Sequence, residues 1–382
     1  MAHDGRPMTI GFPRMRKEPG ERRDFLPSLL RRLALHETEI VVEHGVGSGM
    51  GLVDENYTSI GPAVRIASHA EAFEQDIVVV LRCPDLEELD LVPTGTALVS
   101  MLHFPTRPER VARLRRAGVE AIALDCITDD TGRRLVEDSR AVAWNALEAA
   151  FDALERTYPL LRDAGRPPIH VTVMGAGAIG RHAVEAATKY GRIDRAARLL
   201  AAEVPGVEVV TMGRNLTNDE CYVEERLRLT DVLVDATQRS DPSRPIVPNE
   251  WIGLLPEHAV ICDCVVDPYQ LDADPPTVRG IEGIPQGDLD RYVFPLEDPA
   301  WEHAVPGGVP HEHRRTTVSC YSWPGVHPRA CMEVYGVQLA PLLETLVERG
   351  GIPGIRPDGD YHERALARGS LRHWAPADEP AR

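Results

Sequence analysis

Apolar positions along the chain fall into two alternating spacings. TIGFP, near the start, reads as a short strand, and Asp24 to Leu35 repeats its apolar residues at helical spacing. EIVVE at Glu39–Glu43 is a second strand, Ala70 to Gln75 has helical character, and DIVVVL at Asp76–Leu81 is apolar enough to be buried on both faces. ALVSMLH, the helix PERVARLRRAG and the strand EAIALD continue the pattern. Strands alternating with helices predict a parallel sheet flanked by helices.

A long helix is predicted from about Ser139 to Leu161, and Pro167-Pro168 close the segment after it. The alternation then begins again: IHVTVMG, a helix from Ile179, VEVVTMG, DVLVDAT and AVICDCVVD. A second long helix covers about Arg329 to Glu348. Two long helices flanking a nucleotide-type unit imply two crossings between domains. The fold class expected is α/β, with two Rossmann-like domains with parallel sheets separated by a cleft. Residues 1–138 and 330–382 make a discontinuous substrate domain, and 139–329 a central dinucleotide-binding domain. The tail after Gly354, rich in Pro, Gly and charge, is expected to lie over the surface. No internal repeat is visible.

Composition narrows the classes. A chain of 382 residues suits two domains. A formal charge of -17 argues against a nucleic-acid surface, which needs clustered Lys and Arg. No apolar run approaches a membrane span, and the start lacks a basic head followed by an apolar stretch. The seven cysteines (83, 126, 221, 262, 264, 320 and 331) form no CxxC pair, so neither a disulfide framework nor a zinc site is expected and a cytoplasmic setting is the natural reading. Cys262 and Cys264 read as small buried side chains. His311 and His313 flank Glu312 in a polar loop and read as solvated rather than as a metal pair.

VTVMGAGAIGRHAVEAA carries a dinucleotide fingerprint in its required setting, an apolar strand before and an amphipathic helix after. Gly175 allows the tight turn, Gly177 admits a pyrophosphate to the backbone, and Gly180 lets helix and strand pack closely. Ala176, Ala178 and Ile179 complete the loop, and the pyrophosphate would rest on the helix N-terminus. Asp194 has the spacing of a ribose-binding acid but lies in a helical stretch and is treated as a decoy. The second strand, VEVVTM, ends in Gly213-Arg214-Asn215 without a carboxylate. Arg214 would suit a 2′-phosphate, so the cofactor is NAD or NADP. Thr237, ending DVLVDAT, is placed among the cofactor contacts.

The ordered set of motifs resembles the alanine dehydrogenase/pyridine nucleotide transhydrogenase family, including lysine-forming saccharopine dehydrogenase. The opening IGFPRMRKEPGERRDFLPS has Arg22 five residues before Pro27; VVVLRCP puts Arg82 at the family's lysine position; SMLHF matches the strand ending in a catalytic His, here His103. DCITDDTGRRL follows the saccharopine-dehydrogenase segment, VICDCVVD has Asp263 and Asp267 four apart, and SWPGVHPRACMEVYGVQLAPLLETL resembles the returning helix. The resemblance implies Arg22 and Arg82 as substrate-binding cations, His103 as acid/base, and Asp267 beside the nicotinamide ribose or substrate amine. Trp323 either covers the cofactor or packs at the hinge. Arginine at position 82 cannot shuttle a proton as a lysine can. Tyr321-Ser322 also replaces an acidic residue of saccharopine dehydrogenase.

The function implied is NAD(P)-dependent dehydrogenation of an amino acid, or the reverse reductive amination, with a small amino-acid or keto-acid substrate and no nucleic-acid or membrane partner. The amine donor is open between ammonia and a second amino acid, as in saccharopine- or opine-type enzymes. A non-catalytic nicotinamide-nucleotide-binding regulator and a 2-hydroxy-acid enzyme are the alternatives. The sequence does not fix the oligomeric state, and a homo-oligomer stays open.

Overall fold

The computed structural model describes residues 6–15, 18–239 and 241–374. The chain divides into two compact units, one running through Asp138 and resuming at His327, the other spanning Ser139–Val326. The change at His327 coincides with the start of the long helix Pro328–Glu348.

The first unit holds a six-stranded sheet of β1 (Met8–Phe12), β2 (Thr38–Glu43), β3 (Val64–Ala67), β4 (Ile77–Arg82), β5 (Ala97–Met101) and β6 (Glu120–Ala123) in the order β3-β2-β1-β4-β5-β6. Every pairing is parallel. The central strands carry uninterrupted apolar runs because helices cover both faces; Ile77–Leu81 is buried throughout. The helix Pro328–Glu348 packs against Pro27–Leu33 and closes one side of this core. The predicted surface course of the tail is corrected here. Tyr361–Gly369 is a helix opened by a capping box between Asp360 and Glu363, and it buries Ala365, Leu366 and Ala367. Ser370 then bridges to Ile122 on β6; residues 375–382 of that tail lie outside the described residues.

The second unit begins with the helix Ser139–Thr157, shorter than predicted because Pro159 opens a separate 3-10 turn. Its sheet comprises β7 (Ile169–Met174), β8 (Val207–Met212), β9 (Val232–Asp235), β10 (Val260–Asp263), β11 (Val293–Phe294) and β12 (Thr316–Ser319), ordered β11-β12-β10-β9-β7-β8. All pairings are parallel except β11 with β12. In each sheet the strand order reverses beside the first strand, between β1 and β4 and between β7 and β9. Open α/β sheets bind ligands at the carboxyl ends of strands at such a switch point. No helix among the described residues is long and apolar enough to cross a membrane.

Candidate active and cofactor sites

At the switch point of the second sheet, β7 runs into the glycine loop. Gly175 has φ +100°, and a Cβ there would strike the Ala236 carbonyl. Gly180 sits at the start of the helix Ala178–Ala187, and a Cβ on it would strike the Gly175 carbonyl. These two glycines are required by the protein's own packing. Gly177 differs: among the described residues nothing lies within 4 Å of where its Cβ would be. It is exposed, has φ -72°, and caps the helix without a side-chain bond to the free N–H groups. A glycine kept beside open space, ahead of unsatisfied amide donors, fits the approach of a diphosphate. Ala176 is exposed and Ala178 and Ile179 are half-buried beside it.

The neighbouring strand ends supply the rest. Arg214 opens a short helix after β8, is exposed, and reaches the Gln238 carbonyl at 3.5 Å. Asp194 is held by Arg192 and Arg198 on the helix Ile193–Ala201. Thr237 donates both its N–H and its hydroxyl to Asp235. Asp267 is half-buried and accepts from Arg239 at 2.6 Å. Trp323 is 1% exposed; its indole N–H donates to the Asp263 carbonyl at 2.7 Å and its ring packs edge-on to Tyr292. Its role as a cofactor cover is therefore corrected: the ring is core, and it presents no face to a ligand. Cys262 and Cys264 are buried, and His311 turns Nδ1 to the Val309 carbonyl.

At the switch point of the first sheet, the loop after β1 meets the end of β4. Of the adjacent arginines, Arg22 is exposed whereas Arg23 is buried and ion-paired to Glu21 at 2.6 Å, each side chain 2% exposed. Counting back from Pro27 selects Arg22, which is exposed, while its neighbour Arg23 turns inward onto Glu21. Burial alone would raise the Glu21 carboxyl; the hydrogen bonds and charge of Arg23 outweigh it and leave it below its ordinary value. Arg82, half-buried at the end of β4, is ion-paired to Glu18. Arg82, expected as a substrate-binding cation, thus carries an internal carboxylate counter-ion.

His103 follows β5. It is the one residue there with a left-handed backbone, φ +52°, a conformation uncommon for a side chain with a Cβ. Its ring is 48% exposed, and Nδ1 lies 3.3 Å from Oδ2 of Asp125, whose own side chain is buried. The His103 backbone N–H donates to the other Asp125 oxygen at 3.0 Å. Burial pushes the Asp125 carboxyl up, but the hydrogen bond and charge of His103 prevail and its pKa is lowered. Asp125 was missed from the sequence, although a carboxylate closing the apolar strand EAIALD is the signal that could have found it. Asp235, closing VLVD, carries the same signal.

Residues 11–137 match the family model of the alanine dehydrogenase/PNT N-terminal domain. The chain is 28% identical over 195 residues to the NAD(P) transhydrogenase subunit alpha of Haemophilus influenzae, covering 50% of this chain and 38% of that protein. It is 27% identical over 275 residues to the alanine dehydrogenase of Bacillus subtilis, covering 68% of this chain and 71% of that protein. Among solved structures, an L-alanine dehydrogenase superposes with a TM-score of 0.71 at 21% identity, covering 95% of this chain and 94% of the other. A transhydrogenase from Sinorhizobium meliloti gives 0.61 at 19% identity, covering 89% and 94%. Residues 11–137 thus resemble the alanine dehydrogenase/PNT N-terminal domain, the chain is similar in sequence to alanine dehydrogenases and to transhydrogenase alpha subunits, and the solved structures share its fold.

Proposed function

We propose that this chain is an NAD(P)-dependent amino-acid dehydrogenase of alanine dehydrogenase type, catalysing oxidative deamination or the reverse reductive amination. The observation that carries this reading is the His103–Asp125 pair at the carboxyl edge of the first sheet, a half-exposed imidazole backed by a buried carboxylate.

The chemistry follows from what each group can do. Oxidising an amino acid requires loss of an ammonium proton and of the Cα hydride, then attack of water on the resulting imine. The bound nicotinamide cofactor supplies the hydride acceptor. Asp125 engages Nδ1 of His103, so Nε2 is the nitrogen presented to substrate. It takes the ammonium proton, releases it to solvent, and then accepts the proton of the water that attacks the imine. Arg82 binds the substrate carboxylate in exchange for Glu18; arginine suits this bidentate contact and stays charged. The glycine loop Gly175–Gly180 and the helix behind it hold the diphosphate. Asp267, steadied by Arg239, would orient the nicotinamide ribose, and Arg214 would meet a 2′-phosphate on the adenosine ribose.

A second reading, a secondary-amine dehydrogenase joining an amino acid to a keto acid, is favoured by one feature: a guanidinium at position 82 suits a substrate with an additional carboxylate. One assay separates the readings. Purified protein is mixed with both oxidised cofactors and pooled L-amino acids at mildly alkaline pH, and absorbance is followed at the reduced-nicotinamide band. A rise, abolished by His103→Ala, is expected. Turnover of reduced cofactor only with a keto acid and a second amino acid would favour the secondary-amine reading, and binding without turnover in either direction would indicate a silent cofactor binder.

A further inference from the structure

β9 and β10 end side by side with a carboxylate each. Asp235 and Asp263 are directly paired across the parallel strands, so both side chains leave the same face, and both are buried. Like charges in that position repel. The structure treats the two very differently. Asp263 accepts from Arg279 at 3.0 Å, from the Ser319 hydroxyl at 2.8 Å, and from the backbone N–H groups of Val265 and Val266. Asp235 accepts from the N–H and hydroxyl of Thr237, both on Oδ1. Its Oδ2 faces the Cα of Gly280, where a Cβ would collide with it. The nearby cations are committed elsewhere, Arg279 to Asp263 and Arg239 to Asp267. A buried carboxyl that has no cation of its own among the described residues, set beside one that has, is the one that keeps a proton.

Asp235 also borders the proposed cofactor loop. It is in register with Met174, the residue before Gly175, and the Ala236 carbonyl is what holds Gly175 to glycine. Residues 235–237 therefore form one wall of the switch point between β7 and β9.

We propose that Asp235 is a proton-bearing positioning residue of the dinucleotide crevice. Protonated, it fixes the 235–237 turn against the glycine loop without adding charge; ionised, it sets a negative charge beside the cofactor diphosphate and weakens binding. The inference rests on the cofactor reading above. Burial first, and then the charge of Asp263, push its pKa up to about 7, with Asp267 adding to the effect and the Thr237 bonds opposing it. Because the protonated form binds better, affinity falls as pH rises through that value.

The test uses the full chain, titrated with NADH and with NADPH by fluorescence between pH 5.5 and pH 8.5, as wild type and as Asp235→Asn. The asparagine keeps the Oδ1 acceptor for Thr237. Carbon-13 NMR of labelled aspartates in the cofactor-free protein reads the carboxyl directly. The expected result is a wild-type Kd that rises roughly fivefold or more from pH 6 to pH 8. The variant should hold the tighter value throughout and lose a carboxyl resonance titrating near neutrality. A variant with the wild-type pH dependence, or a wild type with a flat Kd, overturns the proposal. Should Asp235→Asn not fold, Thr237→Val removes a bond that favours the carboxylate and must move the midpoint to higher pH; an unmoved midpoint overturns the proposal equally. Failure of both NADH and NADPH to bind at any pH, with a near-neutral carboxyl still seen by NMR, overturns the cofactor reading and this proposal with it.

Discussion

Asp125 holds His103 at two points, accepting the backbone N–H at 3.0 Å on one oxygen and facing ring Nδ1 at 3.3 Å with the other. The first contact fixes a residue with positive φ at the strand end, and the second orients the ring. If His103 is the acid/base, His103→Ala is expected to lower kcat by about a hundredfold or more. Asp125→Asn is expected to lower it roughly tenfold while leaving cofactor Kd unchanged. The pH dependence has a definite sign. The Asp125 pKa is depressed in the folded state, so its stabilising contribution is full above the ordinary carboxylate range and lost as pH falls through the depressed value. Denaturation of wild type and Asp125→Asn should therefore converge in acid and separate at neutral pH.

The glycine loop separates packing from binding. Gly177→Ala places a methyl in open space, so Tm should stay within about 2 °C while the Kd for reduced cofactor rises tenfold or more. Gly175→Ala and Gly180→Ala meet backbone carbonyls and should lower Tm outright. Thermal melts with fluorescence titrations check both. Equal losses of stability at all three positions would remove the argument for a ligand at Gly177.

Glu21 and Arg23 form a buried pair, and breaking one partner leaves the other charged without solvent. Glu21→Gln is expected to destabilise by about 3–5 kcal/mol in urea denaturation. Arg22→Ala, at an exposed position, should change stability by less than about 0.5 kcal/mol. A raised substrate KM in Arg22→Ala, with stability unchanged, would support the substrate-binding role expected for Arg22.

Trp323 serves the core. Trp323→Phe removes the indole bond to Asp263 and part of a fully buried ring, and should cost about 1–3 kcal/mol of stability without altering cofactor affinity.

Much of this fold was legible where one physical demand dominates a segment. Ile77–Leu81 had to be a buried strand because nothing in it can face water, and the Gly175–Gly180 loop was readable because positive φ and close backbone approach leave glycine little competition. β3 was not seen because VRIA is four residues long with a charge inside it. β12 was not seen because TTVS has no apolar run, although all four residues are buried. The helix Tyr361–Gly369 had its capping box in the sequence, but the surrounding Pro, Gly and charge suggested surface chain. Which of the adjacent arginines turns in was not readable, since only the course of the backbone decides that Arg23 is buried and Arg22 exposed. Asp125 and Asp235 stayed hidden because their importance comes from a strand neighbour, His103 for one and Asp263 for the other.

Hydride transfer from an amino acid is the central claim, and a label tests it directly. The protein is incubated with NAD and NADP and L-amino acids deuterated at Cα, and the recovered cofactor is examined by NMR. Deuterium at C4 of the nicotinamide is the predicted result, with transfer lost in His103→Ala. Cofactor that binds yet recovers no deuterium, from any amino acid in the pool, would contradict the account.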